Sequence, residues 1–150
     1  MTILNVGLIG CGNISTAYLT LAPTFKNIRF VAVSDTNEEA ALARGKEFGI
    51  KARTVSDLLA SDDIDIVVNL TIPDAHYDVT RRILESGKHA YTEKPLVLTL
   101  KQAKSLADLA ASKGLRIGSA PDTFLGGAHQ QARQIIDAGG IGTVTSGTAH

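Results

Sequence analysis

The ten residues VGLIGCGNIS, Val6–Ser15, decide the fold of this chain. They predict a buried strand, a tight glycine turn and the first turn of a helix. Gly10 permits the tight turn, and Gly12 lets the backbone come close to a phosphate, while the helix N-terminus supplies free N–H groups and the positive end of a dipole. The dinucleotide fingerprint has Gly or Ala at its third small position, where this chain has Ser15.

An acidic residue follows at the distance that such a fingerprint requires. The second apolar run, Ile28–Ser34, ends at Asp35. A carboxylate about 20 residues past the turn accepts hydrogen bonds from the adenosine ribose hydroxyls of a dinucleotide. It also repels a 2′-phosphate, and Thr36 and Asn37 offer no cation to hold one, so we expect NAD rather than NADP. The alternative is a purely structural turn in which Asp35 caps the strand end.

Composition narrows the class of protein. The chain has 150 residues, 44% of them hydrophobic, and a formal net charge of zero, so it can build a core and does not suit nucleic acid or an anionic membrane as main partner. The single cysteine, Cys11, excludes an internal disulfide and is interpreted as a small filler. No metal-ligand spacing, no signal peptide and no apolar run of roughly 18 residues occurs, so we predict no metal site and a cytoplasmic location.

Strand and helix patterns alternate through about residue 120, which predicts an α/β fold with a Rossmann-type, doubly wound parallel sheet. We expect helix caps at Thr36, Ser56 and Thr99. The predicted strands cover residues 3–9, 28–34, 52–55, 64–71, 89–92 and 115–119.

The pattern changes after Pro121. Residues 128–138 predict another helix, and residues 143–150 predict a strand without a partner hairpin. We therefore predict a nucleotide-binding Rossmann domain at residues 1–121. Residues 122–150 would be a linker helix and the first strand of a truncated C-terminal α/β domain for substrate binding or oligomerisation. An unpaired strand exposes a sheet edge, so we expect association, and a homo-oligomer when full length.

Polar residues follow the fourth and fifth predicted strands. Ligands of open parallel sheets bind outside the carboxyl ends of the strands, where Thr71, Pro73 and His76 follow one strand and Glu93 and Lys94 the next. Lys94 could polarise a substrate hydroxyl or carbonyl there, and the alternative is a solvated lysine paired with Glu93. For His76 we expect a structural or cofactor-contact role.

Residues 10–15, Asp35, residues 71–76 and Glu93-Lys94-Pro95 together resemble the glucose–fructose oxidoreductase/inositol dehydrogenase (Gfo/Idh/MocA) family over essentially the whole chain. The Glu-Lys-Pro element at this distance from the glycine turn is the specific part. The resemblance implies an N-terminal Rossmann domain followed by a larger C-terminal α/β domain. It also implies hydride transfer between NAD or NADP and the carbon of a sugar or polyol substrate.

The resemblance further implies a role for each matching position. Lys94 would be the catalytic residue beside the reacting carbon, and the Lys94–Pro95 bond would be cis. Asp122 and Thr123 replace an Asn/Arg-type motif found in many members and are expected as substrate contacts. The implied cofactor-binding residues are Gly10, Gly12, Asn13 and Ile14 at the pyrophosphate, Asp35 and Thr36 at the adenosine ribose, Thr71, Pro73 and His76 along the groove, and Glu93 near the nicotinamide ribose.

Two other functions stay open on the sequence alone. A non-catalytic nucleotide sensor or regulator can use the same fold, and Lys94 separates it from an enzyme, which needs this lysine facing the nicotinamide. A nucleotide-sugar or S-adenosylmethionine enzyme fits the glycine turn but leaves Glu93-Lys94-Pro95 without a reason. Members usually take a catalytic histidine from the second domain, so we expect these 150 residues to bind cofactor with little or no turnover.

Overall fold

A computed structural model describes residues 2–121 and 123–148 of the chain. Its strands are β1 (Leu4–Ile9), β2 (Ile28–Ser34), β3 (Lys51–Ala52), β4 (Ile66–Asn69), β5 (His89–Thr92) and β6 (Ile117–Ser119). Its helices are α1 (Asn13–Leu21), α2 (Glu38–Phe48), α3 (Val55–Ala60), α4 (Pro73–Glu85), α5 (Leu100–Ser112) and α6 (Gly127–Asp137). Contacts divide the chain into two units, Met1–Ala120 and Pro121–His150.

The six strands form one parallel sheet in the order β3-β2-β1-β4-β5-β6. Strand order reverses between β1 and β4, which makes this junction the topological switch point. Ile9 pairs with Ser34 on one side and with Asn69 on the other, and Asn69 pairs with Thr92. The carboxyl ends of the four central strands therefore lie side by side, and the predicted fold class is confirmed.

Helices cover both faces of this sheet because the central strands are apolar on both sides. On one face α1 and α2 pack against β1 and β2, where Val6, Leu8, Leu19, Val33 and Ala41 are buried together. On the other face α3, α4 and α5 contribute to a second core, with Leu58, Val67, Ile83, Leu84 and Leu106.

Two predicted helix caps are one or two residues away from the observed caps. The cap of α2 is Asn37, whose side chain accepts a hydrogen bond from Ala40 N at 3.2 Å, and not Thr36. The cap of α3 is Thr54, which accepts from Asp57 N at 3.1 Å, and not Ser56. Thr99 caps α5 as predicted. Each wrongly predicted residue is itself a competent cap and lies one or two positions from the observed cap, so cap chemistry alone did not select between them.

The predicted ends agree with the structure for some strands and differ for others. The bounds of β2 and β5 agree with prediction, whereas β4 stops at Asn69 instead of residue 71. The Asn69 side chain accepts a hydrogen bond from Thr71 N at 3.2 Å, which turns the chain out of the sheet. The strand expected over residues 143–150 is absent from its described part, residues 143–148. A strand needs a neighbour for its main-chain groups, and this segment pairs with none.

The second unit, considered by itself, contains a 3-10 turn at Thr123–Leu125 and the helix α6. The Gln130 side chain donates to Phe124 O at 2.7 Å and joins the two elements. The division of the chain into a complete and an incomplete domain stays a prediction.

The loop that leads into β4 is fixed by an ion pair with a testable pH dependence. Arg53 donates from Nη1 and Nη2 to the two carboxylate oxygens of Asp63 at 2.9 and 2.8 Å. The hydrogen bonds from Arg53, and to a smaller extent the hydrogen bond from Ser61, hold the pKa of the Asp63 carboxyl well below its usual range. A depressed pKa in the folded state adds stability above the unfolded pKa of about 3.9, and this stability is lost as the pH falls towards the folded pKa.

We therefore expect Asp63→Asn to lower the urea midpoint equally at pH 7 and pH 5, and to lower it less at pH 3. The carboxyl is half exposed, so solvent screening keeps the effect modest. The neighbouring exposed Asp62→Asn is the control and should leave the midpoint unchanged. An Asp63→Asn effect as large at pH 3 as at pH 7 would contradict this assignment.

Candidate functional site

The turn between β1 and α1 needs its two glycines for different reasons. Gly10 has a φ of +105°, and a Cβ there would lie 2.6 Å from the carbonyl C and O of Leu70. A Cβ on Gly12 would have no heavy atom within 4 Å, so the space in front of this residue is open. Gly12 is also the N-cap of α1, and no side-chain hydrogen bond caps this helix end. The first turn of α1 therefore has main-chain N–H groups without a side-chain cap, next to the open space at Gly12.

Ser15 occupies the third small position of the fingerprint and is fully buried. Its hydroxyl donates to Gly12 O at 2.6 Å, so the polar group is satisfied inside the first turn of α1. The departure from Gly or Ala thus leaves the close packing of α1 on the sheet intact.

The carboxylate of Asp35 reaches the glycine turn from the end of β2. Its Oδ2 accepts a hydrogen bond from Cys11 N at 2.7 Å, and its Oδ1 accepts from Asn37 N at 2.8 Å. These two N–H groups and the Thr36 hydroxyl, whose Oγ1 lies 3.4 Å from Oδ1, orient the half-buried carboxylate, and Oδ2 keeps a further lone pair for a ligand hydroxyl. The acid and the turn that lie apart in sequence are therefore neighbours in the fold.

A cavity of about 810 Å³ opens beside Asp35 and Thr36. Its wall includes Leu42 of α2, Ala52 of β3 and Val55 of α3, together with polar side chains. This volume and mixed lining are typical of small-molecule sites.

Cys11 is buried inside the turn, with its Sγ 3.4 Å from Ser34 O. Burial raises the pKa of this thiol to about 11, with a smaller contribution from the nearby Asp35 charge. The thiol is therefore protonated at neutral pH and a poor nucleophile, which fits its interpretation as a filler.

Arg44 contacts the turn, and the sequence did not lead us to predict this contact. Its Nη2 lies 3.5 Å from Cys11 O and 3.4 Å from Gly12 O, and its Nη1 pairs with Glu47 at 2.6 Å. The guanidinium places a positive charge close to the main-chain carbonyl groups of the turn. The available signal was helical spacing, since Arg44 lies three residues after the buried Ala41 and so shares its face of α2.

Beyond the switch point, Asn69 organises the end of β4. Its Nδ2 donates to His76 O at 3.2 Å and to Thr80 Oγ1 at 3.0 Å. Its Oδ1 accepts from Thr71 N at 3.2 Å and from Thr71 Oγ1 at 2.7 Å. The fully buried amide therefore determines how the predicted groove residue Thr71 is held. Pro73, also predicted in the groove, is exposed at the first position of α4.

His76 is 1% exposed, and each of its ring nitrogens lies against a backbone oxygen. Nδ1 lies 2.6 Å from Pro95 O, and Nε2 lies 3.0 Å from Thr71 O. Of the two roles expected for this histidine, the geometry supports the structural one, because both ring nitrogens already face protein acceptors.

Glu93 and Lys94 follow β5 at the same edge. Glu93 N donates to Asn69 O at 2.9 Å, while its carboxylate accepts from Tyr18 OH at 3.1 Å and from Lys94 N at 2.7 Å. The Lys94 side chain is exposed, and in the described part of the chain it forms no ion pair with Glu93. The Lys94–Pro95 bond is cis, as the resemblance implied.

The remaining predicted positions lie elsewhere. Asp122 is outside the described residues, and Thr123 begins the 3-10 turn of the second unit, so their role as substrate contacts stays a prediction. Within residues 2–121 and 123–148, no three His, Cys, Asp or Glu side chains are gathered for a metal ion. None of the helices described has the length and apolar character needed to cross a membrane.

Comparison with known proteins gives three informative relatives. The inositol 2-dehydrogenase/D-chiro-inositol 3-dehydrogenase of Lacticaseibacillus casei is 33% identical over 119 residues, which are 77% of this chain and 34% of that protein. KijD10, a 3-ketoreductase from Actinomadura kijaniata solved with NADP and TDP-benzene, is 26% identical with a TM-score of 0.86 over 92% of this chain and 43% of its own. Biliverdin reductase from Synechocystis, solved with biliverdin and NADP+, is 27% identical with a TM-score of 0.79 over 89% of this chain and 43% of its own.

The chain thus spans between a third and a half of the length of these relatives. A profile of an oxidoreductase family with an NAD-binding Rossmann fold matches residues 4–120. The matched region contains the glycine turn, the Asp35 carboxylate and the Glu93–Lys94 segment. On sequence, fold and the placement of these residues, the chain belongs to the Gfo/Idh/MocA oxidoreductase family.

Proposed function

We propose that this chain is the nucleotide-binding part of an NAD(P)-dependent oxidoreductase that transfers a hydride between nicotinamide and a sugar or polyol carbon. The observation that carries the proposal is the uncapped N-terminus of α1 behind the open space at Gly12, with the Asp35 carboxylate held against the same turn. No acidic side chain lies in the first turn of α1 to repel an anion. A pyrophosphate and a ribose suit these two features.

The sheet order supports an arrangement in which the two halves of the cofactor lie on two sides of the switch point. The adenosine half would lie towards β2, with its ribose hydroxyls on Asp35 and Thr36 and the adjoining cavity beyond them. The pyrophosphate would contact the backbone from Gly10 to Ile14. The nicotinamide half would lie over β4 and β5, past Thr71 and Pro73 and close to Glu93.

Lys94 is the residue that we propose to act on the substrate. Lys94 is exposed and follows the carboxyl end of β5, one of the two strands over which the nicotinamide half would lie. An ammonium there can donate a hydrogen bond to the substrate oxygen and stabilise negative charge that develops on it. The bound nicotinamide supplies the hydride chemistry itself. The sugar or polyol class is supported by the activity in the name of the Lacticaseibacillus relative.

Cofactor titration tests the proposal and the preference for NAD. We expect saturable NADH binding by nicotinamide fluorescence, weaker NADPH binding, and a smaller preference after Asp35→Ala. Loss of charge-assisted hydrogen bonds to the ribose should weaken NADH binding by about tenfold to a hundredfold. Asp35→Asn should show the same direction while it keeps an amide oxygen to accept from Cys11 N.

The exposed Asp62→Asn serves as charge-matched control and should bind NADH like the wild type. Circular dichroism on each sample establishes that the protein is folded. A folded wild type that binds neither nucleotide would overturn the proposed function. Equal NADH and NADPH affinities that Asp35→Asn leaves unchanged would overturn the NAD preference alone.

A further inference from the structure

We propose that a buried hydrogen-bond network made of Asn69, His76, Thr80 and Thr92 positions the Glu93–Lys94 segment for the nicotinamide half of the cofactor. This inference rests on the proposed function and adds positioning residues to its site. We call these four residues the edge network. None of them needs to touch the cofactor, since the effect passes through the main chain that they hold.

The edge network is almost completely shielded from water. Its four side chains are between 0% and 1% exposed. Asn69 Nδ2 donates both to Thr80 Oγ1 and to the main-chain oxygen of His76. The hydroxyl oxygens of Thr80 and Thr92 lie 2.8 Å apart. Burying polar groups is costly unless all of them are paired, and a paired set in a low-dielectric interior holds its members in one arrangement.

The network joins three elements at the place where Glu93 and Lys94 leave the sheet. Asn69 ends β4, His76 and Thr80 belong to α4, and Thr92 ends β5 immediately before Glu93. The segment is also held directly on both sides of Lys94. Glu93 N donates to Asn69 O at 2.9 Å, and Pro95 O lies 2.6 Å from the His76 ring.

The position of the network predicts which half of the cofactor depends on it. All four side chains belong to β4, α4 or β5, on the far side of β1 from β2 and Asp35. The adenosine half lies towards β2 in the proposed arrangement. Weakening the network should therefore reduce affinity for the nicotinamide half and leave affinity for the adenosine diphosphate half unchanged. A network that only stabilises the fold would affect both halves together.

The test compares NADH with ADP on the 150-residue chain. His76→Gln keeps a donor for one of the two carbonyls, and Thr92→Val keeps shape while it removes the hydroxyl. We expect His76→Gln to weaken NADH binding about tenfold and Thr92→Val to weaken it by a smaller factor. Affinity for ADP, measured by calorimetry, should stay within about twofold of the wild type in both variants.

Tyr77→Phe is the matched control on the same helix. It removes a hydroxyl that lies 3.1 Å from Ser105 Oγ, away from the edge network, and should leave both affinities unchanged. Parallel losses of NADH and ADP affinity in His76→Gln and Thr92→Val would overturn the inference, and so would unchanged NADH affinity. A folded wild type that binds neither ligand overturns the proposed function, and this inference with it.

A second measurement, on the unmodified protein, tests the positioning role of the edge network even where a variant does not fold. The ring ¹⁵N signals of His76 should shift on addition of NADH and stay in place on addition of ADP. This buried histidine is one of four in the chain. Ring signals that ignore NADH, or that respond equally to both ligands, would overturn the positioning role.

Discussion

Gly12→Ala is expected to abolish measurable NADH binding while the protein stays folded. Gly12 has φ −70° and ψ −171°, a conformation that alanine adopts readily, and no heavy atom lies within 4 Å of its Cβ position. The added methyl group therefore meets no steric obstacle in the fold. In the complex it occupies the space through which the pyrophosphate approaches the first turn of α1.

The expected size of this effect follows from the bonds that a displaced phosphate loses. Hydrogen bonds to a charged group contribute about 1.5 to 3 kcal/mol each, so the loss of two weakens binding by about a hundredfold or more. Fluorescence titration with NADH measures the affinity, and circular dichroism confirms the fold. Gly127→Ala, at another glycine with open space around its Cβ position, should bind like the wild type. Wild-type affinity in Gly12→Ala would show that the pyrophosphate lies elsewhere.

Gly10→Ala is expected to have the opposite pattern and to destabilise the fold itself. Its φ of +105° is unfavourable for any residue with a Cβ, and that atom would lie 2.6 Å from Leu70 C and O and 2.8 Å from Thr71 N. The backbone cannot easily move away, because Leu70 N, directly after β4, donates to Ile9 O of β1 at 2.8 Å. Strain and overpacking together should lower the free energy of unfolding by about 3 kcal/mol or more.

Urea unfolding at neutral pH measures this loss, which is a large part of the stability of a typical domain. Gly12→Ala is the matched control, since it adds the same methyl group two residues away in the same turn without a clash. The midpoint of Gly10→Ala should fall well below that of Gly12→Ala. Equal midpoints would mean that the turn relaxes around the new Cβ.

Much of the fold could be predicted from the sequence because its signals are local. The apolar run at Ile28–Ser34 and the segment His89–Thr92 are strands with the predicted bounds. Alternation of strands and helices led to a parallel sheet, since the crossover connections leave few other topologies. The strand over residues 143–150 was predicted wrongly for its described part, because local propensity says nothing about whether a pairing partner exists.

Some residues of the candidate site could likewise be predicted from the sequence, and others could not. The glycine turn, Asp35 and the Glu93–Lys94 segment could be predicted, since a phosphate-binding turn, a ribose acid and a strand end each follow from residue type and spacing. The contacts of Arg44 with Gly12 O and of the Tyr18 hydroxyl with Glu93 could not, because they join segments far apart along the chain; helical spacing places Arg44 only on the buried face of α2.

By itself, the amino-acid sequence determined the order of elements, the place of the glycine turn and the identity of the acid that follows the second strand. Those features depend on neighbouring residues and on regular spacing. Tertiary structure alone decided that Asp35 accepts from Cys11 N, that both nitrogens of the His76 ring face carbonyl oxygens, and that Asn69 connects β4 to α4. Hydrogen bonds are short-ranged and directional, so their partners are settled only when the packed sheet brings distant residues together.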